Sequence, residues 1–138
     1  MSKTLLVYFS NTGFTRKVAE ELMRSYNCDV EEIRPLRSRH GVFGYLRAGF
    51  EALTKKQAEI VPPTRNPDAY ELLILGGPVW TGHVSSPVRA YVRKLHRQFG
   101  QVAWFCTYGG RGAEQMFAEL SELAGRPPIA TLALTDGE

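Results

Sequence analysis

The sequence predicts an α/β fold: a doubly wound, five-stranded parallel sheet in a single domain over residues 1–138. Three observations point there. Short apolar runs recur without the polar alternation of a sheet that faces water, as in parallel strands covered on both faces. Between them lie segments whose apolar residues repeat at helical spacing. A chain of 138 residues is also too short to split into two pieces with cores of their own. Alternating strand and helix then gives β-α-β-α-β-α-β-α-β with right-handed crossovers.

Leu5-Leu6-Val7-Tyr8-Phe9 is the first strand, and Val18, Leu22 and Tyr26 share the face of the helix that follows. Asp29-Val30-Glu31-Glu32-Ile33 alternates, so it is read as an edge strand. From Gly41 to Thr54, Phe43, Leu46, Phe50 and Leu53 have helical spacing, although Gly44 and Gly49 each cost about 1 kcal/mol against alanine. Leu72-Leu73-Ile74-Leu75 forms the third strand. In the next helix Ser86 is the expected cap and Pro87 the first residue. Val88, Val92, Leu95 and Phe99 make its apolar face, and Gly100 is expected in the left-handed conformation that ends it.

Val102-Ala103-Trp104-Phe105-Cys106 is the fourth strand. Met116, Phe117, Leu120, Leu123 and Ala124 mark a helix stopped by Gly125, with Pro127-Pro128 barring continuation. Ile129-Ala130-Thr131-Leu132-Ala133-Leu134 is the fifth strand, and no helix follows it. One side of strands three to five is then expected to be bare, an apolar patch larger than monomers usually carry. Either a partner chain covers it, as in a homo-oligomer, or the chain is a shortened form of a longer protein.

Hydrophobic residues at 43% and charged residues at 22% argue against disorder or a fibrous repeat. The net charge of +3 comes from scattered cations, which indicates solvated faces and no nucleic-acid partner. Cys28 and Cys106 have neither the number nor the spacing of a disulfide scaffold or zinc site, so reduced thiols in the cytoplasm are expected, and no metal. The apolar run ending at Phe9 is too short for a signal-peptide core or a membrane span, so no membrane association is expected.

The ends of three strands carry the chemistry. The first turns into a helix through Ser10, Asn11, Thr12, Gly13, Phe14 and Thr15, which brings free amides, the positive helix end and three hydroxyls to one point: a phosphate site. Gly13 lets the backbone curl close to an anion. Neither G-x-x-x-x-G-K-[ST] nor G-x-G-x-x-G is present, so a nucleoside triphosphate with magnesium and a dinucleotide fingerprint are both unsupported. Such residues can also merely turn the chain and cap a helix; the other strand ends shift the balance. The third strand exits into Gly76-Gly77-Pro78-Val79-Trp80-Thr81-Gly82, and the fourth into Thr107-Tyr108-Gly109-Gly110-Arg111-Gly112. Glycines there admit a flat ligand, Trp80 and Tyr108 offer rings to stack on it, and ligands of doubly wound sheets bind at this rim.

These residues resemble the flavodoxin family over nearly the whole chain. Ser10 to Thr15 satisfies the family's [ST]-x-T-G-x-T loop, and Gly77-Pro78-Val79-Trp80 with Pro87-Val88-Arg89 is similar to its second flavin loop and following helix. The resemblance implies strand order 2-1-3-4-5 and flavin mononucleotide (FMN) as cofactor. Its phosphate would lie on residues 10–15 and its isoalloxazine between Pro78, Val79, Trp80, Thr81, Gly82 and Thr107, Tyr108, Gly109, Gly110, Gly112. Closest in look are short flavodoxin-like proteins, including NAD(P)H:quinone oxidoreductases, with Thr-Tyr-Gly-Gly or Thr-His-Gly-Gly after strand four. Two departures stand out: the third loop carries Arg111 with no acid before Glu114, and a fifth helix is missing.

The flavin would supply the redox chemistry and the protein would tune it. Arg111 or the amides of Gly109, Gly110 and Gly112, placed near N1 and the C2 carbonyl, would ease two-electron reduction. A reductase of quinone-like or other small acceptors, with NAD(P)H as a candidate donor, is therefore expected ahead of a one-electron carrier or a non-catalytic interaction module. No side chain is assigned a catalytic role. His83 is read as more often solvent-facing than catalytic, and His40 and His96 as surface residues. Cys106 with Arg111 misses the C-x5-R spacing of a phosphatase by one residue, so Cys106 is read as core.

Overall fold

In the computed structural model, which describes residues 3–11, 13–36 and 60–135, β1 (Thr4–Tyr8), β2 (Asp29–Glu32), β3 (Leu72–Trp80), β5 (Gln101–Tyr108) and β6 (Thr131–Thr135) form a parallel sheet. Their order is β2-β1-β3-β5-β6, the expected one; the two-residue β4 (His83–Val84) turns back antiparallel on β3. Three helices are described: α1 (Phe14–Tyr26), α2 (Ser86–Leu95) and α3 (Ala113–Ala124). The helix expected between Gly41 and Thr54 lies outside the described residues.

The unbroken apolar runs are explained by two cores. Leu5, Val7 and Phe9 of the β1 run point into one cluster with Leu73, Leu75, Trp104 and the inner residues of α2 and α3, while Leu6 and Tyr8 point the other way, to Val18, Ala19 and Phe105. Each residue from Leu5 to Phe9 therefore meets protein on whichever face it takes. The expected α1 face holds at Val18 and Leu22, but Tyr26 is 65% exposed.

Other boundaries shift for local reasons. β3 runs on through Gly76 to Trp80, where a loop had been expected, because it keeps pairing with β5 as far as Pro78–Thr107 and then with β4. Ser85, not Ser86, caps α2, and its side chain makes no cap hydrogen bond. α2 ends in a 3-10 turn, His96–Gln98, with Phe99 extended and buried beyond it. Gly100 is not left-handed; a methyl there would lie 2.9 Å from the Glu71 carbonyl oxygen, so this glycine serves close backbone approach. Gly125, expected to stop the following helix, is its C-cap and takes a positive φ of 76°. The ladder onto the last strand opens with Ile129 N–H donating to Val102, and β6 itself begins at Thr131.

The two borders of the sheet differ. Along β2, residues 60–66 run back as a strap: Pro35 bridges Ile60, and the Val61 amide donates to the Arg34 carbonyl at 2.7 Å. The Glu31 carboxylate accepts from the Thr64 and Arg65 amides at 2.7 and 3.0 Å, and Arg65 Nε donates to the Val30 carbonyl at 3.3 Å. On β6, Leu132 and Leu134 share the Phe105 face in register and stay 39% and 38% exposed, while Phe105 is covered. The expected bare face thus narrows to the last strand.

Candidate functional site

The carboxyl ends of β1, β3 and β5 meet at one rim. The first is fixed to the second by the Phe9 amide, which donates to the Gly76 carbonyl at 3.1 Å. Ser10 Oγ then accepts from the Gly13 amide at 3.1 Å and the Arg16 amide at 3.3 Å, which draws the N-terminus of α1 back onto Ser10 as one wall of a cup. Gly13 holds φ at 101°, where a side chain is strained, and nothing lies within 4 Å of where its Cβ would stand. Asn11 is exposed, Phe14 is half-buried against the α1 core, and Thr12 lies outside the described residues.

Ser10→Ala removes the acceptor shared by both amides. The expected loss of stability is about 1 kcal/mol, as for a helix cap, measured by urea denaturation. An unchanged midpoint would show that the cup closes without Ser10.

The loops touch in three places. Thr15 and Thr107, each 3% exposed, share a hydrogen bond of 2.7 Å between their hydroxyls. Phe9 and Trp80 meet edge to face with centroids 5.5 Å apart. Gly112, at φ 105°, approaches the hairpin so closely that a methyl on it would lie 2.8 Å from Val79 Cγ1 and 3.2 Å from Gly82 Cα. Pro78, Val79 and Trp80 are half-buried, and Thr81 (φ 48°) and Gly82 (φ 78°) form the hairpin turn. Tyr108 is half-buried, whereas Gly109, Gly110 and Arg111 are exposed; a methyl on Gly110 would meet nothing within 4 Å.

Arg16 does not turn into the cup. Its guanidinium pairs with Glu32 at 2.6 Å, and hydrogen bonds to Glu32 and Tyr8 raise its pKa further. Cys106 is fully buried, and burial pushes its thiol up to about 12, so it is no nucleophile at neutral pH. Among the described residues no group of three His, Cys, Asp or Glu is placed to hold a metal ion. An open cavity of about 310 Å³ lies between the strap and β2, lined by Glu31, Arg34 and Thr64 among others; none of its lining residues belongs to the three loops.

Glu119 and Gln115 escaped sequence reasoning, and Arg89 entered it only as part of the Pro87-Val88-Arg89 stretch. Glu119 on α3 accepts from the Val84 amide at 3.0 Å and from Arg89 Nη2 at 2.8 Å, and stands 3.5 Å from His83 Nδ1. Burial opposes its ionisation, yet the Val84 amide, Arg89 and His83 outweigh burial and lower its pKa. An acid at the spacing of the buried Met116 and Leu120 was a usable signal; its partner on another helix was not.

The flavodoxin family description matches residues 3–132. No curated protein sequence matches the chain. Among solved structures, a flavoprotein in complex with FMN from Lactobacillus acidophilus is similar, with a TM-score of 0.83, 22% identity, and 96% of this chain and 93% of that one covered. A flavodoxin, WrbA-like protein from Agrobacterium tumefaciens gives a TM-score of 0.60 at 16% identity, covering 97% and 83%. An archaeal flavodoxin gives 0.58 at 20% identity, covering 96% and 82%.

Proposed function

The chain belongs to the flavodoxin family, and from that premise we propose that it binds FMN at the rim of β1, β3 and β5 and serves as a redox protein. The carrying observation is that three loops converge there while the positions ahead of Gly13 and Gly110 stay open. Bound flavin would supply electron and hydride chemistry. The cup of residues Ser10, Asn11, Thr12, Gly13, Phe14 and Thr15 holds a phosphate by amides, hydroxyls and the positive end of α1, without a metal. Pro78, Val79, Trp80, Thr81 and Gly82 wall one side of the ring, and Thr107, Tyr108, Gly109, Gly110 and Gly112 the other.

The third loop lies at the start of α3 and carries Arg111 with no acid before Glu114, so it offers amides and a cation to negative charge on the ring. That supports a two-electron reductase of quinone-like or other small acceptors, with NAD(P)H as donor, in the cytoplasm, over a one-electron carrier.

Titration of the chain with FMN, followed by tryptophan quenching and the visible flavin bands, tests the cofactor. Gly110→Ala is expected to leave stability within about 0.5 kcal/mol of wild type, because its methyl meets no protein atom, and to weaken FMN binding by roughly tenfold as it enters the ring's space. Equal affinity in both proteins would remove the third loop from the site. Oxidation of NAD(P)H with a quinone by the FMN-loaded protein then separates reductase from carrier; no turnover leaves the carrier.

A further inference from the structure

Gly112, the N-cap of α3, and Gln115 and Glu119 within it stand at i, i+3 and i+7, one side of that helix. Each meets the β3–β4 hairpin. Gly112 abuts Val79 and Gly82, Gln115 Oε1 would lie 3.1 Å from a methyl on Gly82, and Glu119 accepts from the Val84 amide. A strand with a two-residue partner makes a marginal hairpin by itself, and this one carries Trp80 to the rim. Val84 is fully buried, so its amide needs an acceptor in place. The other Glu119 oxygen is clamped by Arg89 Nη2, which fixes the carboxylate from below.

We propose that Glu119 is a positioning residue: it anchors the β3–β4 hairpin to α3 and so sets the spacing between the second and third loops. The helix that starts at the third loop thereby gauges the distance to the second. The importance of this spacing for FMN rests on the cofactor reading above; the anchor itself does not.

Two full-length double variants isolate the anchor. Arg89→Met with Glu119→Gln removes both charges of the pair but keeps a carbonyl acceptor for Val84. Arg89→Met with Glu119→Leu removes both charges and the acceptor. Without ligand, the Val84 amide is expected to exchange with deuterium roughly tenfold or more faster in the Leu variant than in the Gln variant. The 5-fluorotryptophan signal of Trp80 is expected to shift while that of Trp104 stays. FMN is expected to bind the Leu variant roughly tenfold more weakly. Equal Val84 exchange in the two overturns the proposal. If wild-type protein takes up no FMN, the cofactor reading falls, and Val84 exchange in the ligand-free chains still decides the anchor.

Discussion

Glu119→Gln alone is expected to destabilise the chain by about 3–5 kcal/mol, read from the urea midpoint. Arg89 is fully buried, and among the described residues its Nε and Nη1 have no partner; only Nη2 is satisfied, by Glu119. Neutralising Glu119 strands that cation where water cannot reach it. Domains of ordinary stability hold only about 5–15 kcal/mol in total, so the single variant approaches the limit of folding. Adding Arg89→Met is expected to recover most of the loss, because no buried charge is then left unpaired. A single variant within about 1 kcal/mol of wild type would mean that Arg89 is solvated.

Acid tests the same pair. The Glu119 pKa is lowered in the folded chain, so the unfolded chain binds more protons at mildly acid pH. Its contribution is complete above the ordinary glutamate value of about 4.3 and is lost as pH falls through the lower folded value. The double variant without Arg89 and Glu119 is expected to lack that part of the acid transition.

Gly112→Ala is the second large effect. At φ 105° a side chain is strained by about 1–2 kcal/mol, and the new methyl sits 2.8 Å from Val79 Cγ1. Overpacking of this kind adds about 1–3 kcal/mol. A fall in Tm of roughly 10 °C is expected, with weaker FMN binding as the hairpin is pushed away. Val79→Ala in that background removes the methyl it strikes and is expected to restore part of both losses. If Val79→Ala adds its own loss on top, the two loops do not press on each other here.

Much of this was legible because local rules and global fold agree. Continuous runs such as Leu5 to Phe9 announced strands covered on both faces, and the small and polar residues after Phe9 announced the turn from β1 into α1. The errors have one character. Gly76 to Trp80 read as loop because glycine and proline usually punctuate; here Gly76 is required because any methyl would overlap the Phe105 ring of the neighbouring strand. Glycine at 100 signalled a turn for the same reason and instead admits a carbonyl. Nor could spacing along one chain show that Thr15 and Thr107 bond each other, or that Arg89 meets Glu119. Those are facts of crossing elements.

The strap beside β2 also limits how copies of this chain can add to one another. Arg65 Nε engages the Val30 carbonyl and the Val61 amide engages the Arg34 carbonyl, while Glu31 holds the Thr64 and Arg65 amides, so part of the β2 margin is already taken. A strand adding beside β2 would first have to displace residues 60–66 from those groups.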